Sequence, residues 1–494
     1  MKFYITTPLY YVNAEPHIGH TYTTVAADCL ARFYRMKDYD VFFLTGTDEH
    51  GQKIYETAEK EGISPVELTD RVSNIFKDMW KKINISYDRF IRTTEKEHEE
   101  VVKKVFKKLL DKGELYKGEY KGFYCVHCES YVNVEEAKNP VCPDCNRPVK
   151  EISEPSYFFK LSLYQKQLEE LIEKSDIVKP DFRKNEILNF IKKGLIDISV
   201  TRKNVVWGIE SPTEEKYTIY VWFDALLNYL SGIGYLYDNQ TFQKYWPPDV
   251  QLIGKDIMRF HYIVWPAIIF ALDLPQPKKI FAHGWWISGK EKISKSKGNI
   301  ISPEYYIKEY GVDPFRFFLL REVPFGLDGE FSEENFKKRY NSDLVNDFGN
   351  LLNRSLNLIE KKWNGFLPED EIDESIINLS EEVYKKYSEK MENLSFSEGI
   401  EEIWKLMIYL NKYLDEKAPW REDNENAKKT MVSVFYGIRN LLILLRPFIP
   451  ETCEKMAEML GLERKEIDKF ENLKVKYTGR IKIGKREIIF YRKK

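Results

Sequence analysis

Apolar positions in the first fifty residues follow two different periods, and together they predict a strand, a helix and a second strand. Lys2–Val12 and Val41–Leu44 are short runs dominated by apolar and aromatic residues, which is typical of buried strands. The apolar residues between them recur every three or four positions, as on one face of a helix: Val25, Cys29, Phe33 and Met36. Strand, helix and strand in this order predict a right-handed βαβ unit and a parallel sheet.

The same pattern returns later in the chain, after an interruption. Three further strands are predicted at Tyr217–Phe223, Val250–Ile253 and Lys279–Ala282. The stretch from about 116 to 165 differs, because it is rich in Tyr, Glu and Lys and contains two cysteine pairs. Two β/α halves split by an insertion predict an α/β fold with a doubly wound sheet, whose ligand crevice lies at the carboxyl ends of the strands.

From about Phe331 onward the pattern is helical. Leucine and phenylalanine recur at helical spacing and predict the amphipathic helices of a bundle: Leu344, Phe348, Leu351, Leu352 and Leu356. The last 24 residues contain nine Lys or Arg against Glu471 and Glu487. Their alternation of apolar and charged residues predicts a short hairpin.

Composition limits the class of protein. A chain of 494 residues with 43 % apolar and 15 % aromatic residues predicts about three folded domains and excludes a disordered chain. Lys and Arg number 76 and Asp and Glu number 78, so no global cationic field indicates a nucleic-acid partner, and any polyanion site is local. The N-terminus has no signal-peptide pattern and the longest apolar run, Tyr262–Leu272, is short, which favours a cytoplasmic protein.

Two cysteine pairs have the spacing of a zinc site. Cys125 and Cys128 are followed after thirteen residues by Cys142 and Cys145, and four thiolates close a tetrahedral shell around one structural Zn²⁺. His127, within the first pair, is the alternative ligand. The two other cysteines, Cys29 and Cys453, fall in helical patterns and are interpreted as core residues.

His17-Ile-Gly-His20 occurs where the first strand hands over to the first helix. A helix N-terminus offers free N–H groups to an anion, and Gly19 lets a ligand approach the backbone. The alternative reading is a pair of surface or capping histidines. A second motif, Gly289–Asn299, carries four lysines interleaved with serines, which suits a polyphosphate but is also typical of a solvated loop.

Together the two motifs resemble the signatures of the class I aminoacyl-tRNA synthetases, His-Ile-Gly-His and Lys-Met-Ser-Lys-Ser. The second stands here as Lys292-Ile-Ser-Lys-Ser296, with an apolar residue of similar volume in place of Met. The catalytic residues that the resemblance implies are His17, His20, Lys292 and Lys295. The ATP-binding residues that it implies are these four with Gly19, Gly254 and Asp256, and Mg²⁺ accompanies ATP.

The cysteine pairs narrow the resemblance to the methionyl-tRNA synthetases with a single zinc knuckle. The similarity extends over essentially the whole chain, and its matching segments are Tyr4–Asn13, Thr45–Gly51, Tyr220–Ala225 and Lys417–Trp420. The resemblance implies that Asp48 receives the ammonium group of methionine and that Arg202 lies near its carboxylate. It assigns the side-chain pocket to Leu9, Tyr11, Trp222, Ala225, Tyr229 and His261. The Tyr11 hydroxyl and a His261 N–H are the expected donors to the thioether.

A polar stripe recurs in the helical region. Asn346, Asn350 and Arg354 lie at i, i+4 and i+8, and Trp420 follows Pro419, so that amide, guanidinium and indole groups are available to unpaired bases. Alone, such a stripe is typical of solvated surface. The resemblance makes these four residues the expected readers of the methionine anticodon.

The resemblance implies an ATP-dependent ligase that forms methionyl-adenylate and pyrophosphate, and then transfers methionine to the terminal ribose of initiator and elongator methionine tRNA. Cysteinyl-tRNA synthetase is an alternative, although its metal ligands are spread through the catalytic half, and the leucyl, isoleucyl and valyl enzymes need a larger insertion. A non-catalytic RNA-binding protein is a third possibility, and it predicts tRNA binding without any methionine-dependent exchange of pyrophosphate into ATP. We expect no membrane partner, and either a monomer or a catalytic subunit with a separate tRNA-binding subunit.

The resemblance and the patterns together divide the chain into six segments. They are a Rossmann-type catalytic domain in two halves (1–115 and 216–285), a connective insertion with the zinc knuckle (116–215), a stem-contact segment with the lysine motif (286–340), an α-helical anticodon-binding domain (341–470) and a basic C-terminal hairpin (471–494).

Overall fold

A seven-stranded parallel sheet forms the centre of the first half of the protein. The computed structural model describes residues 1–132, 141–142, 145–288, 291–292, 301–476 and 480–493. The strand order in the sheet is Tyr10–Tyr11, Asp40–Asp48, Lys2–Thr6, Val250–Gly254, Ile280–His283 and Val178–Lys179, with Arg89–Arg92 also paired to Asp40–Asp48. Every pair in it is parallel, which confirms the predicted fold class.

The strands are apolar throughout because both faces of the sheet are covered. Phe3 and Ile5 pack into one hydrophobic cluster, whereas Tyr4 between them packs into another, as expected from the alternation of side chains along a strand. The helices of this half are Ile18–Met36, Gln52–Glu61, Pro65–Lys82, Lys96–Asp111, Val221–Leu226, Asn228–Ser231, Asn239–Tyr245 and Trp265–Ala271, with a π-helix at Phe260–Val264 and a 3₁₀ turn at Lys255–Ile257.

One predicted strand is wrong. Of Tyr217–Phe223 only Thr218–Ile219 is a strand, which pairs with Thr201–Arg202 outside the main sheet, and Val221–Leu226 is a helix. The reason is that the apolar side chains after Tyr220 meet the core at a helical spacing. These buried residues are Phe223, Leu226, Leu227 and Leu230.

The insertion is built on an antiparallel sheet. Its strand order is Ser130–Val132, Leu115–Cys125, Lys150–Phe159 and Ile198–Ser199. Its helical segments are Leu161–Tyr164, Gln165–Lys174, Asp181–Arg183 and Lys184–Ile191. Within the range predicted as insertion, Val178–Lys179 instead pairs with Ile280–His283 and extends the main sheet.

The remainder is largely helical, as predicted. This part contains a small sheet with the strand order Glu291–Lys292, Trp286–Ser288 and Gly329–Glu330. Its helical segments are Pro303–Tyr310, Val312–Arg321, Glu333–Arg339, Asn350–Trp363, Glu374–Glu392, Phe396–Lys417, Asn424–Leu445, Pro450–Met459, Arg464–Glu466 and Phe470–Lys474. The segment with Leu344 and Phe348 is a π-helix, Tyr340–Gly349. Within the described part of the chain, no helix is long and apolar enough to cross a membrane.

The predicted C-terminal hairpin is wrong. Ile481–Lys482 pairs with Phe366–Leu367, and residues 483–493 form no strand. Phe490 packs on the helical bundle instead of on the segment itself, since it is buried with its ring 6.0 Å from that of Tyr340, whereas Ile488 and Tyr491 are exposed. Burial against an existing core therefore replaces the local pairing.

A buried ion pair joins the first helix to the helical bundle. The Arg316 Nη2 donates to Asp28 Oδ2 at 2.6 Å, and both side chains are fully buried. The same guanidinium donates to the carbonyl oxygens of Phe448 at 3.0 Å, Pro447 at 3.2 Å and Ile83 at 3.1 Å. Burial alone would raise the pKa of Asp28, but the neighbouring arginines lower it below its ordinary value.

Candidate active site

The two signature histidines close the N-terminus of the first helix. His17 is the N-cap, and its Nδ1 accepts the Gly19 N–H at 3.0 Å, while His20 Nδ1 accepts the His17 N–H at 3.3 Å. The two rings stack with centroids 3.8 Å apart. Because each Nδ1 accepts a backbone N–H, the neutral rings carry their proton on Nε2. His17 therefore caps the helix, and both imidazole rings lie at its N-terminus.

Asp48 ends the strand next to this helix, and it is a buried carboxylate with an unused oxygen. Its side chain is 9 % exposed, and Oδ1 has no hydrogen-bond partner in the described part of the structure. Burial, followed by the nearby charges of Asp224 and Glu129, raises the pKa of Asp48 well above its usual range. A cation placed against Oδ1 would remove the cost of that burial.

Arg202 is a buried cation, opposite in charge to the Asp48 carboxylate. Its Nε donates to Glu154 at 2.6 Å, and its guanidinium lies over the ring of Tyr124, with Cζ 3.9 Å from the ring centroid. Arg202 Nη1 is buried and finds no acceptor among the described residues. Among the residues that the structure describes, a carboxylate oxygen and a guanidinium nitrogen are thus unsatisfied, and the resemblance assigns both side chains to one ligand.

Aromatic rings contact one another among the residues predicted to line the side-chain pocket. The indole of Trp222 stacks on Phe260 with centroids 3.9 Å apart and lies at a right angle to His261 at 6.4 Å. Tyr229 is buried, and its hydroxyl lies 2.8 Å from His261 Nε2. Leu9 packs against the same core, and Ala225 is 8 % exposed. His261 lies in the π-helix, a distortion that is frequent at functional sites.

The expected His261 N–H donor to a thioether is wrong. Burial lowers the pKa of His261 to about 4, so the ring is neutral. Its Nδ1 lies 3.0 Å from the Ile257 carbonyl oxygen, which can only accept, so Nδ1 carries the proton and Nε2 accepts the Tyr229 hydroxyl. The Trp222 N–H is a buried donor with no partner within the described ranges.

Tyr11 is tied to a residue that the sequence analysis missed. Its hydroxyl donates to Glu129 Oε1 at 3.3 Å, and burial together with Glu129 raises the pKa of Tyr11. Glu129 also accepts the Lys53 N–H at 2.9 Å. Gly51 fits here because its φ is +112° and a Cβ would lie 2.7 Å from the Tyr11 hydroxyl.

The predicted nucleotide residues Gly254 and Asp256 lie at the end of one strand of the main sheet. Gly254 ends Val250–Gly254, and Asp256 Oδ1 accepts the Trp285 indole N–H at 3.1 Å. Opposite Gly254, His283 ends its strand and lies with Nε2 2.6 Å from the Thr23 hydroxyl of the first helix. The carboxyl ends of the parallel strands therefore carry the histidine motif, Asp48 and the Gly254 segment, as predicted for a doubly wound sheet.

The lysine motif is described only in part. The backbone of Glu291–Lys292 pairs antiparallel with Trp286–Ser288, which directly follows the His283 strand. Lys295 lies outside the described residues.

The four cysteines form a cluster that can hold a metal ion. All four sulfur atoms lie within 4.8 Å of one another. The Cys125 and Cys145 Sγ atoms are 3.6 Å apart, and those of Cys128 and Cys142 are 4.0 Å apart. Four sulfurs bound to one tetrahedral Zn²⁺ are about 3.8 Å apart, so the spacing fits that ion. Cys29 and Cys453 are fully buried core residues, as predicted.

The four predicted anticodon residues lie on the helical bundle. Asn346 and Asn350 are exposed, and Arg492 donates to Asn346 at 2.7 Å. Arg354 is held in an ion pair with Asp415, and its guanidinium Cζ lies 5.5 Å from the ring centroid of Trp420, which is 45 % exposed. The structure therefore brings Arg354 and Trp420 together on one surface.

Comparisons with known proteins match nearly the whole chain. The family described as tRNA synthetases class I (M) matches residues 3–151 and 132–356, and the anticodon-binding domain of tRNA ligase matches residues 373–482. A methionine--tRNA ligase from Caldanaerobacter subterraneus is 50 % identical, covering 99 % of this chain and 78 % of that protein. One from Bacillus subtilis is 46 % identical, covering 95 % and 74 %. The Mycobacterium tuberculosis methionyl-tRNA synthetase in complex with methionyl-adenylate superposes with a TM-score of 0.96 at 36 % identity, covering 99 % of this chain and all of that one.

Proposed function

Because the chain belongs to the class I methionyl-tRNA synthetases and is a methionine--tRNA ligase, we propose that the crevice at the carboxyl ends of the parallel strands is its methionine and ATP site. The enzyme activates L-methionine with ATP to methionyl-adenylate and transfers methionine to its tRNA. The observation that carries the assignment is that Asp48 Oδ1 and Arg202 Nη1 both lack a hydrogen-bond partner in the described part of the chain. They are the partners that the ammonium and carboxylate of an amino acid require.

The side chain of methionine occupies the aromatic pocket. Trp222 and Tyr229 supply polarizable walls, with Leu9, Tyr11, Ala225 and His261 completing the lining, and sulfur makes favourable contacts with such rings. The Trp222 N–H, which has no partner among the described residues, is the donor for the thioether, because the Tyr11 hydroxyl donates to Glu129. His261 acts through Tyr229, whose hydroxyl it fixes by accepting its proton.

The reaction needs positioning and charge stabilisation, since the methionine carboxylate is itself the nucleophile toward the ATP α-phosphate. The Nε2–H groups of His17 and His20 donate to the phosphates at the helix N-terminus, where Gly19 keeps the backbone accessible. Gly254 and Asp256 bind the ribose, and Lys292 and Lys295 hold the departing pyrophosphate as negative charge accumulates on it. Mg²⁺ bound with ATP neutralises phosphate charge.

The thiol cluster binds one structural Zn²⁺. The spacing of its sulfurs supports zinc, and four thiolates leave no open position for a substrate. The reduced thiols that this requires favour a cytoplasmic location.

The helical bundle binds the anticodon of methionine tRNA. The contact between Arg354 and Trp420 supports this, because an exposed indole backed by a guanidinium can stack on an unpaired base. Asn346 and Asn350 are exposed on the preceding turns and read base edges.

The oligomeric state stays a prediction that size-exclusion chromatography with light scattering tests.

A ligand that lacks one charge tests the assignment of Arg202. Wild-type enzyme should bind methionine more tightly than methioninol, which has no carboxylate, as measured by tryptophan fluorescence. Arg202→Gln should abolish that preference, whereas Arg202→Lys, which keeps the charge but loses the planar fork, should retain part of it. Arg183→Gln, which removes a guanidinium elsewhere in the insertion, is the control. An Arg202→Gln enzyme that folds and still prefers methionine would refute the assignment.

The lysine motif is tested separately. Lys295→Ala should strongly reduce methionine-dependent exchange of pyrophosphate into ATP while the thermal melt stays unchanged. Unchanged exchange would exclude the proposed role of that lysine. Exchange measured across all amino acids tests the substrate itself, and methionine should give the highest rate.

A further inference from the structure

A chain of buried hydrogen bonds lies behind the proposed amino-acid site, and no step of the reaction described above uses it. His50 Nδ1 is 2.7 Å from Asp224 Oδ2, and His98 Nε2 is 2.7 Å from Asp224 Oδ1. His98 Nδ1 is in turn 2.7 Å from the Ser231 hydroxyl. The four side chains are at most 3 % exposed.

The positions of the hydrogens follow from the Asp224 carboxylate, whose oxygens can only accept. His98 Nε2–H and His50 Nδ1–H therefore both donate to it. In the neutral His98 ring Nδ1 is then the acceptor, and the Ser231 hydroxyl donates to it at 2.7 Å. Burial alone would raise the pKa of Asp224, but His50 and His98 lower it. The carboxylate is therefore ionised and satisfied on both oxygens at neutral pH.

The chain joins two parts of the amino-acid site that are distant in sequence. His50 lies two residues after Asp48, in the turn that ends the strand Asp40–Asp48. Asp224 lies between Trp222 and Ala225 on the short helix Val221–Leu226. A shift of the Asp224 carboxylate would therefore move the group that receives the ammonium relative to the wall that receives the side chain.

This link is anchored from outside the site as well. His98 belongs to the helix Lys96–Asp111 and Ser231 to Asn228–Ser231, and both are buried among apolar side chains. The turn after Asp48 is held independently, since Glu49 accepts from Arg92 at 2.7 and 2.9 Å and the Trp207 indole donates to its carbonyl oxygen at 2.6 Å. Asp224 therefore connects the turn after Asp48 to the helix Val221–Leu226, and each of these two elements is held by its own contacts.

We propose that Asp224 is a positioning residue for amino-acid specificity, which fixes the separation between the Asp48 carboxylate and the wall formed by Trp222 and Ala225. The proposal rests on the proposed roles of Asp48 and Trp222. Amino acids that differ by one methylene are discriminated only about 10- to 200-fold by an apolar pocket. Such discrimination requires walls held within about 0.5 Å, which a buried carboxylate with two charged or polar anchors provides.

Substrates that differ from methionine by one methylene distinguish a positioning role of Asp224 from a general loss of active structure. Asp224→Asn keeps the shape of the side chain but turns one acceptor into a donor that faces a histidine N–H. In the exchange assay we expect kcat/KM for methionine to fall about tenfold, and that for ethionine, one methylene longer, or S-methylcysteine, one shorter, to fall less than about threefold. Asp249→Asn removes a carboxylate held by Lys2 and Lys278 near the other end of the sheet and should leave the ratios unchanged. An equal fall for all three substrates in Asp224→Asn would overturn the proposal.

A pair of substitutions at His98 keeps the test decisive if Asp224→Asn does not fold. His98 uses Nε2, and the side-chain amide of His98→Gln reaches the same region as a donor, whereas His98→Leu cannot donate. The glutamine variant should keep the methionine-to-ethionine ratio within about twofold, and the leucine variant should narrow it by about threefold or more. Equal ratios in both variants would refute the proposal. If instead Asp48→Asn leaves the KM for methionine unchanged, the assignment of the ammonium site is at fault.

Discussion

Replacing Asp48 by asparagine removes a single charge from the proposed ammonium site while it keeps the shape of the side chain. Asp48 is 9 % exposed, and Oδ1 lacks a partner in the described part of the structure. In the wild-type enzyme that oxygen accepts from the ammonium of methionine, and in Asp48→Asn the ammonium meets a neutral amide. We expect the KM for methionine to rise strongly, with the KM for ATP nearly unchanged.

The magnitude follows from the burial of the group. An ammonium and a carboxylate about 3 Å apart interact by roughly 5 kcal/mol at an effective dielectric constant of about 20. Asparagine retains a neutral hydrogen bond of about 1 kcal/mol, and part of the remainder offsets the ionisation of a carboxyl whose pKa is raised by burial. The net loss is about 2–4 kcal/mol, or an increase in KM of roughly 30- to 1000-fold.

Fluorescence titration with methionine and methionine-dependent exchange measure this change, and their pH dependence tests its cause. Because the pKa of Asp48 is raised in the free enzyme, the carboxyl must lose its proton before it receives the ammonium. Wild-type affinity for methionine should therefore increase with pH through that raised pKa. Asp48→Asn should lack this increase. A KM less than about threefold above wild type, or an unchanged acid limb in the variant, would refute the reasoning.

Three further predictions concern other parts of the structure. Cys128→Ser should reduce bound zinc, measured by elemental analysis, from about one per chain to a small fraction and lower the melting temperature, while Cys453→Ser retains the metal; full zinc in Cys128→Ser would contradict the ligand set. Arg316→Met should lower the free energy of unfolding at pH 7 by about 1.5–3 kcal/mol, because the buried Asp28 loses one of its two guanidinium partners and keeps the ion pair with Arg32. Since the folded-state pKa of Asp28 is lowered, its stabilisation is present above its unfolded pKa of about 4 and is lost as the pH falls through the folded value. The difference in unfolding free energy between wild type and Arg316→Met, measured with urea, should therefore shrink in acid. A difference that does not change with pH would exclude the ion pair as its cause. Trp420→Ala should weaken tRNA binding by about 1–3 kcal/mol with unchanged methionine-dependent exchange, and an equal loss of both activities would contradict a role in base stacking.

The sequence predicted the sheet well because its strands are buried on both faces and are therefore continuous apolar runs. It failed at Tyr217–Phe223, where an aromatic run resembles a strand but folds largely as a helix. The helical spacing of Phe223, Leu226 and Leu227 was present in the sequence, and a longer window would have favoured the correct element. The hairpin failed for a different reason, since the partner of Ile481–Lys482 lies more than one hundred residues earlier.

The candidate site was predictable where its chemistry is local. The histidine motif and the cysteine pairs are defined by short spacings, and the structure brings the members of each together. Asp224 and His98 were missed because they are 126 residues apart in sequence and meet only in the fold. Glu129 was missed as well. It directly follows Cys128, and its positive φ of 50° results from the fold of the zinc knuckle, so no sequence signal marked it as a site residue.

The Arg316 guanidinium has a consequence for how the protein can be divided. Its acceptors come from Asp28 in the first helix, Ile83, and the carbonyls of Pro447 and Phe448 near the end of the bundle. A fragment truncated before Pro447 would leave the Arg316 guanidinium without two of its carbonyl acceptors. Arg316 thus couples the stability of the catalytic half to that of the helical bundle, and we expect an isolated catalytic half to unfold more readily than the same residues in the whole chain.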